Sequence, residues 1–131
     1  MKKDVGTLLA AYDDREGVTA EFNLNILRRI NRELGGDFPL ERFVHTARWN
    51  EADSAIEMHL TSVDARDVSI GDRTFSFAAG ETIHTESSRK YSVDDVAEMA
   101  QRSGWMVEKV WTDANRLFAV AGFSATDVGL A

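Results

Sequence analysis

Apolar residues near the start of the chain recur at the spacing of a helix. Leu8, Leu9 and Tyr12 predict a short first helix, followed by a polar cluster at residues 13–17. Gly17 ends that cluster and adopts turn conformations that other residues resist. The pattern therefore predicts a short helix, a turn at Gly17 and a new element after it.

A longer amphipathic helix is predicted next, from Thr19 as its N-cap to the glycine pair Gly35–Gly36. Its apolar positions form one stripe at helical period, which we expect to be buried: Phe22, Ile26, Leu27, Ile30 and Leu34. The polar residues between them include Asn23 and Asn31, which we expect to face solvent.

After Pro39 the period of the apolar residues changes from that of a helix to that of a strand. Two hairpins are predicted: residues 43–49 with 55–60, and residues 68–70 with 74–77. The loop at residues 50–53 closes the first, and Gly71–Asp72, a dipeptide suited to a type II′ turn, closes the second. Residues 83–91 are polar for a strand, but they follow Gly80 and precede a helix start, so we expect them to be extended.

The last third of the chain predicts one helix and one pair of strands. Ser92 and Asp95 have the spacing of a capping box, and Gly104 closes the helix that they begin. Residues 105–111 and 117–123 predict the strand pair, and the second strand contains almost no polar residue. Strands that are apolar on both faces are typical of a sheet that is covered on both sides. We therefore expect these strands to join a sheet outside this chain, with a sheet packed on a dimer partner as the alternative.

Composition narrows the class of protein. The chain has 131 residues, no cysteine and a formal net charge of −7 at pH 7. This length favours a single domain whose core needs no disulfide, and the negative charge disfavours nucleic acid and anionic membranes as partners. The sequence contains no secretory signal and no membrane-spanning run, so we expect a cytoplasmic protein.

Titratable and hydroxyl groups concentrate in residues 83–91. Alternation along a strand places His84, Glu86, Ser88 and Lys90 on one face. Because an ionised Glu accepts hydrogen bonds and a Ser accepts or donates them, Glu86 beside Ser88 suits a ligand that offers N–H donors. A solvated edge strand is the alternative that spacing alone leaves open.

Metal and nucleotide sites have only weak support in the sequence. His45, His59 and His84, with Glu57 and Glu86 nearby, match no metal-ligand spacing, so we expect no metal. The sequence also contains no glycine-rich loop of the kinds that bind nucleotide phosphates. No cofactor-binding residue is therefore predicted in this chain.

Longer blocks of sequence occur in a consistent order over nearly the whole chain. They are Leu8–Asp14, Gly17–Asn25, Asn31–Leu34, Ile56–Met58, Thr85–Ser92, Gly104–Asp113 and Leu117–Phe118. Together they closely resemble the histidine-specific, S-adenosylmethionine (SAM)-dependent methyltransferase family, which makes the trimethylated histidine of ergothioneine biosynthesis. A series of blocks at consistent spacing is much more specific than one short motif.

The resemblance implies an α+β chain with mostly antiparallel strands and about three helices. By the same resemblance, the chain would be the C-terminal, substrate-binding part of a class I methyltransferase without the N-terminal cofactor domain. We expect this part to be inactive alone. Residues 1–131 would form one unit, with a substrate-binding region at about 1–91. A helix and closing hairpin at about 92–125 would complete the sheet of the cofactor domain, whose upstream half would bind SAM.

The resemblance also implies the substrate and the residues that bind it. Glu86 and Ser88 fall on positions that hydrogen-bond the imidazole of L-histidine, and Tyr12 matches a tyrosine near the amino-acid end of that substrate. Three further positions would line the pocket: Thr19, Phe22 and Met58. No catalytic residue is assigned, and spacing alone would place Tyr12 and Met58 in the core.

A small α+β module that binds a ligand or dimerises, without catalysis, is the alternative interpretation. It would hold an apolar ligand between the second helix and the strands, and it would remain compact alone. The methyltransferase interpretation instead predicts self-association through residues 105–123, which light scattering on a sizing column would detect.

Overall fold

The computed structural model describes residues 1–126 and confirms an α+β fold with mostly antiparallel strands in small sheets. The chain divides into a larger unit, Val5–Ser88, and a smaller unit that combines Met1–Asp4 with the residues from Arg89 onward. The elements in chain order are α1 (Val5–Tyr12), α2 (Val18–Leu34), a short 3₁₀ turn (Leu40–Arg42), β1 (Phe43–Asn50), β2 (Ala55–Ser62), β3 (Arg66–Ile70), β4 (Arg73–Phe77), β5 (Thr82–Arg89), α3 (Val93–Arg102), β6 (Trp105–Thr112) and β7 (Ala119–Ala125).

The larger unit is built on a three-stranded sheet with β2 in the middle. β1 and β2 form the first predicted hairpin, in a register that runs from Phe43 opposite Ser62 to Asn50 opposite Ala55. β5 lies along the other edge of β2. β3 and β4 form the second predicted hairpin as a separate pair. The alternating apolar patterns and turn dipeptides of the sequence therefore predicted both hairpins correctly.

The register divides the two faces of the β1–β2 pair. Directly opposed residues share a face, so His45 and Leu60 lie on one face, and Thr46 and His59 lie on the other. Leu60 is fully buried in the apolar core. One face of this sheet is thus the core face, and the other contains polar side chains.

The apolar core of the larger unit joins α2 to the sheet and to the β3–β4 hairpin. Phe38, Phe43 and Phe77 meet edge to face, with ring centroids 5.4 and 5.5 Å apart for the Phe38–Phe43 and Phe43–Phe77 pairs. Such aromatic pairs stabilise a fold beyond the area that they bury. The buried members of this core are Leu27, Phe38, Phe43, Leu60 and Val68.

α2 buries only part of the predicted apolar stripe, namely Leu27, which is buried, and Ile30, which is half-buried. Phe22, Ile26 and Leu34 are 63%, 40% and 61% exposed, whereas Asn23 and Leu27 are each 1% exposed. The expectations that Phe22, Ile26 and Leu34 are buried and that Asn23 faces solvent are therefore wrong. The physical reason is that the Asn23 amide has hydrogen-bond partners inside the protein, which offset the cost of removing it from water.

α2 ends at Leu34, directly before the glycine pair where the sequence predicted its end. Gly35 has a φ of +64°, a left-handed conformation that glycine adopts without steric cost. Asn31, which was expected in solvent, is half-buried and binds the backbone of Phe38 twice: its Oδ1 accepts from the Phe38 N–H, and its Nδ2 donates to the Phe38 carbonyl, both at 2.8 Å. Asn31 therefore fixes the path of the chain as it leaves the helix.

The N-terminal end of α2 is capped by a residue that the sequence pattern did not indicate. Thr19 lies inside the helix, and Gly17 in the N-cap position has no side chain to accept a hydrogen bond, so the prediction of Thr19 as N-cap is wrong. The Asp14 carboxylate instead accepts from the backbone N–H groups of Val18 (3.0 Å) and Thr19 (2.9 Å). These bonds, chiefly the one from Thr19, lower the pKa of Asp14 to about 2.

The smaller unit contains the predicted capping box. The Ser92 hydroxyl accepts from the Asp95 N–H at 3.1 Å, and the Asp95 carboxylate accepts from the Ser92 N–H at 2.7 Å. α3 follows directly from this pair of bonds, which satisfies two N–H groups that have no partner within the helix. None of the helices in residues 1–126 is long and apolar enough to cross a membrane.

The smaller unit ends in the β6–β7 hairpin, whose large apolar side chains are incompletely buried. Five of them are between 44% and 57% exposed: Trp105, Met106, Trp111, Val120 and Phe123. Because the neighbours Trp105 and Met106 point to opposite faces of β6, apolar surface is exposed on both faces. The idea that these strands join a sheet outside this chain stays a prediction.

The Asp14 cap predicts a pH-dependent contribution to stability. The pKa of Asp14 is lower in the folded protein than the ordinary value near 3.9 in an unfolded chain, so its carboxylate stabilises the fold above pH 4. We expect Asp14→Ala to lower the free energy of unfolding at pH 7, and this difference to vanish as the pH falls from 4 to 2. Denaturant unfolding at several pH values measures it.

The neighbouring carboxylate of Asp13 provides the control for this prediction. Asp13→Ala removes the same charge one residue away without removing the bonds to Val18 and Thr19. Equal losses of stability in both variants, or a loss in Asp14→Ala that persists at pH 2, would show that the cap is not the source.

Candidate functional site

Tyr12 and Ser88 meet directly, although 76 positions separate them in the sequence. Tyr12 is the last residue of α1, and Ser88 lies near the end of β5. Their hydroxyl oxygens are 2.7 Å apart, a normal distance for a hydrogen bond between hydroxyl groups. The fold thus brings together two of the three residues that the resemblance implied for substrate binding.

Glu86, the third residue, lies on β5 two positions before Ser88 and is exposed. Within residues 1–126, its carboxylate makes no hydrogen bond or ion pair. An ionised carboxylate in this condition is an acceptor for N–H groups of a ligand. Glu86 and Ser88 therefore offer an acceptor and a donor–acceptor group on neighbouring parts of one strand.

β5 departs from regular alternation between His84 and Ser87. The His84 Nε2 lies 2.9 Å from the Ser87 hydroxyl and 3.1 Å from the Glu86 carbonyl, which accepts a hydrogen bond from it. Residues three apart in a regular strand point to opposite faces, so this contact requires a local irregularity. The prediction of simple alternation is therefore wrong for His84 and Ser87, whereas a shared face for Glu86 and Ser88 stays a prediction.

His84 belongs to a polar cluster on the sheet face opposite Leu60. Its ring stacks on that of His59, with centroids 4.7 Å apart and an angle of 16° between planes. The His59 Nε2–H donates to Glu57 at 3.0 Å, and its Nδ1 lies 3.0 Å from the Thr82 hydroxyl. A hydrogen bond from Asn50, and secondarily that from His59, lowers the pKa of Glu57.

The side chains of Glu57, His59 and His84 place one potential metal-ligand atom each within 4.8 Å of one another. His45, which the sequence grouped with them, lies on the other face of the sheet. The lone pair of an imidazole nitrogen lies in the ring plane, so two nearly parallel stacked rings do not direct their nitrogens at one point. The present arrangement of these side chains is a hydrogen-bonded cluster.

The three residues expected to line the pocket have different environments. Thr19 is half-buried in the first turn of α2, and Phe22 is exposed one turn later. Met58 is 4% exposed and lies between Ile56 and Leu60 in β2. The assignment of these residues to a substrate pocket stays a prediction.

A buried polar chain leads to Tyr12, and its two members, Asn23 and His45, were predicted for other places: Asn23 in solvent, and His45 only in a group of potential metal ligands. The Asn23 Nδ2 lies 3.0 Å from the His45 Nδ1, and the His45 Nε2 lies 2.8 Å from the Tyr12 carbonyl oxygen. Two signals were present: His45 alternates with Phe43 on the inward face of β1, and Asn23 recurs with Leu27 at helical spacing. Both were overlooked because Phe22 and Ile26 form an equally regular stripe.

The α1 end and β5 thus bring together hydroxyl groups and a carboxylate suited to a small polar ligand that has N–H groups. Comparison with known proteins gives the family. The chain belongs to the histidine-specific, SAM-dependent methyltransferases, whose family model matches residues 1–125.

Individual relatives agree with this family. The chain is 43% identical over 113 residues to a histidine N-alpha-methyltransferase of Mycolicibacterium smegmatis, and 44% identical over 113 residues to one of Mycobacterium tuberculosis. An N-methyltransferase of Aspergillus flavus, imqF, is 31% identical over 112 residues. Each match covers 85% of this chain but only 30–35% of the relative, so the chain spans about a third of the length of these relatives.

The Tyr12–Ser88 hydrogen bond predicts an energetic coupling between the two side chains. In a double-mutant cycle of Tyr12→Phe and Ser88→Ala, we expect a coupling of about 0.5–1.5 kcal/mol in the free energy of unfolding, because each single variant already loses the bond. Chemical denaturation of the four proteins measures it.

Ser87 provides the matched control for this cycle, since its hydroxyl contacts His84. Tyr12→Phe and Ser87→Ala should add without coupling. A coupling of Tyr12 to Ser87 as large as that to Ser88 would contradict the observed pairing.

Proposed function

We propose that this chain is the substrate-binding, C-terminal part of a SAM-dependent methyltransferase that acts on the α-amine of L-histidine. The observation that carries the proposal is the meeting of Tyr12 with Ser88, beside Glu86, in a chain whose family is histidine-specific. These are the residues that the resemblance implies for binding the substrate. The chain alone is inactive in this proposal, and the intact enzyme supplies the precursor of ergothioneine.

Substrate recognition follows from the chemistry of the side chains. An imidazole has one N–H donor and one acceptor nitrogen when neutral, and two donors when protonated. Glu86 accepts from one ring N–H, and Ser88 accepts from or donates to the other nitrogen. Tyr12, already bonded to Ser88, lies towards the amino-acid end of the substrate.

SAM is assigned to segments outside this chain. In class I methyltransferases the cofactor lies at the ends of parallel strands, where the chain passes from a strand into a helix. The strand-to-helix passage from β5 to α3 contains Lys90 and Tyr91 followed by the Ser92 cap, without a glycine. This passage therefore does not fit a cofactor site, in keeping with the assignment of SAM to other segments.

Exposed apolar surface supports the assignment to a longer protein. Phe22 and Leu34 on α2 and Trp105 and Met106 on β6 are each 47–63% exposed, and the relatives are about three times as long as the matched region. Large exposed apolar patches mark surfaces that other protein segments cover. We propose that other segments of the longer enzyme cover these apolar side chains.

The task of this chain in the reaction is to bind and orient. In the complete enzyme SAM would supply the methyl group and would leave as S-adenosylhomocysteine. The part of this chain would be to hold the unprotonated α-amine in near-attack geometry and to exclude water. Glu86 and Ser88 fix the imidazole at one end of the substrate and thereby the position of the amine at the other. Glu86 is then a specificity residue, since a substrate without an imidazole N–H would leave its carboxylate unpaired in the bound complex.

The proposal is tested by incubating the full-length protein, with all segments encoded alongside this chain, with SAM and L-histidine. Mass spectrometry should detect successive gains of one, two and three methyl groups on histidine. Methylation of other amino acids in a panel, but not of histidine, would overturn the assignment of histidine as the substrate. No methylation of any amine would favour the non-catalytic binding module.

In the same protein, Glu86→Ala is expected to weaken histidine binding by roughly 2–3 kcal/mol, because the imidazole N–H loses its acceptor. Isothermal titration with L-histidine measures this loss. Glu81→Ala is the control, since Glu81 lies just before β5 and its carboxylate accepts from the Ala78 N–H instead. An affinity for histidine that is unchanged in Glu86→Ala would exclude this role.

A further inference from the structure

We propose that His45 and Asn23 are positioning residues that hold Tyr12 in place for substrate binding, an inference that rests on the proposed function of Tyr12. Neither residue is among those implied by the resemblance. Both are buried, at 9% and 1% exposure, and both act through the backbone end of Tyr12 while Ser88 binds its hydroxyl end.

The hydrogen-bond partners determine the direction of every bond in this chain of contacts. The Tyr12 carbonyl oxygen only accepts, so the His45 Nε2 donates to it at 2.8 Å. The Asn23 Nδ2 lies 3.2 Å from the His59 carbonyl, which also only accepts, so this Asn23 atom is the amide nitrogen. Its second N–H donates to the His45 Nδ1 at 3.0 Å. His45 is therefore held with its proton on Nε2, directed at Tyr12.

The bond from His45 acts at the C-terminal end of α1. The last four carbonyl groups of a helix have no partner within it, and Tyr12 is the final residue of the eight-residue α1. His45 supplies the missing donor from β1, so the end of α1 is tied to the sheet. Since the Tyr12 hydroxyl is also bonded to Ser88 on β5, Tyr12 is held both at its backbone carbonyl and at the tip of its side chain.

The cost of Asn23 supports a role beyond packing. Its Oδ1 is buried and has no hydrogen-bond partner within the described residues. A buried unsatisfied acceptor is unfavourable. An apolar residue at position 23, like Leu27 one turn later, would avoid that cost. In return, the Asn23 amide donates a hydrogen bond to the His45 Nδ1 from a fixed position.

Two variants of His45 separate positioning from mere stability. The amide nitrogen of Gln reaches the place of the imidazole Nε2, so His45→Gln retains a donor for the Tyr12 carbonyl. Asn is one methylene shorter, so His45→Asn retains a partner for Asn23 but does not reach Tyr12. Both variants are polar and uncharged, and both leave Tyr12, Ser88 and Glu86 unaltered.

In the full-length protein we expect His45→Asn to raise the KM for histidine by about tenfold while kcat changes less than about threefold, as for the loss of one buried hydrogen bond. His45→Gln should restore the KM to within about threefold of the original. Equal KM values in both variants and the unmodified protein would overturn the proposal, and so would equal increases in both.

A second measurement does not depend on catalysis. The ¹³C NMR signal of the Tyr12 Cζ reports on its hydroxyl, and we expect it to shift in His45→Asn and in Ser88→Ala but not in His45→Gln. If the protein methylates no histidine and this pattern still appears, the proposed function fails while the positioning of Tyr12 stands. If histidine is methylated and the Tyr12 signal is unchanged in His45→Asn, the positioning role fails alone.

Discussion

The larger unit depends on β2, which is hydrogen-bonded along both of its edges. A strand with neighbours on both sides has no backbone freedom left to change register, and its side chains are committed to one face or the other. Leu60 is thereby directed at the phenylalanine core, and His59 at the polar cluster with Glu57 and His84. β2 and its neighbour β1 therefore position the residues that α1, α2 and β5 contribute to the candidate site.

The same constraint explains why polar residues appear inside α2. α2 meets β1 where His45 points inward, so the opposing position of the helix must satisfy an imidazole nitrogen. Asn23 does so, and it also donates to the His59 carbonyl. The apolar residues Phe22 and Ile26 are consequently turned outward, although their spacing is as regular as that of the buried positions.

The sequence predicts the features that depend on neighbouring residues, but not those that depend on residues far apart in the chain. Both hairpins and the Ser92 capping box rest on local signals, namely alternation, turn dipeptides and a cap spacing, and each was predicted correctly. The buried face of α2 depends on a residue of β1 that is 22 positions away from Asn23. The irregularity of β5 near Ser87 has no local signal at all. The proximity of Tyr12 and Ser88 came only from the resemblance, because spacing cannot indicate which distant elements meet.

The separation of the site residues has a consequence for the way in which the protein is made. Tyr12 and Ser88 are 76 positions apart, and contacts between distant positions form late because closing a long loop costs conformational entropy. During synthesis, α1, α2 and the β1–β2 hairpin emerge before β5 exists. Until β5 has been added to the edge of β2, the ribosome-bound chain contains Tyr12, His45 and Asn23 without the strand on which Ser88 lies. The contact between Tyr12 and Ser88 is therefore one that the nascent protein can form only after β5 has emerged.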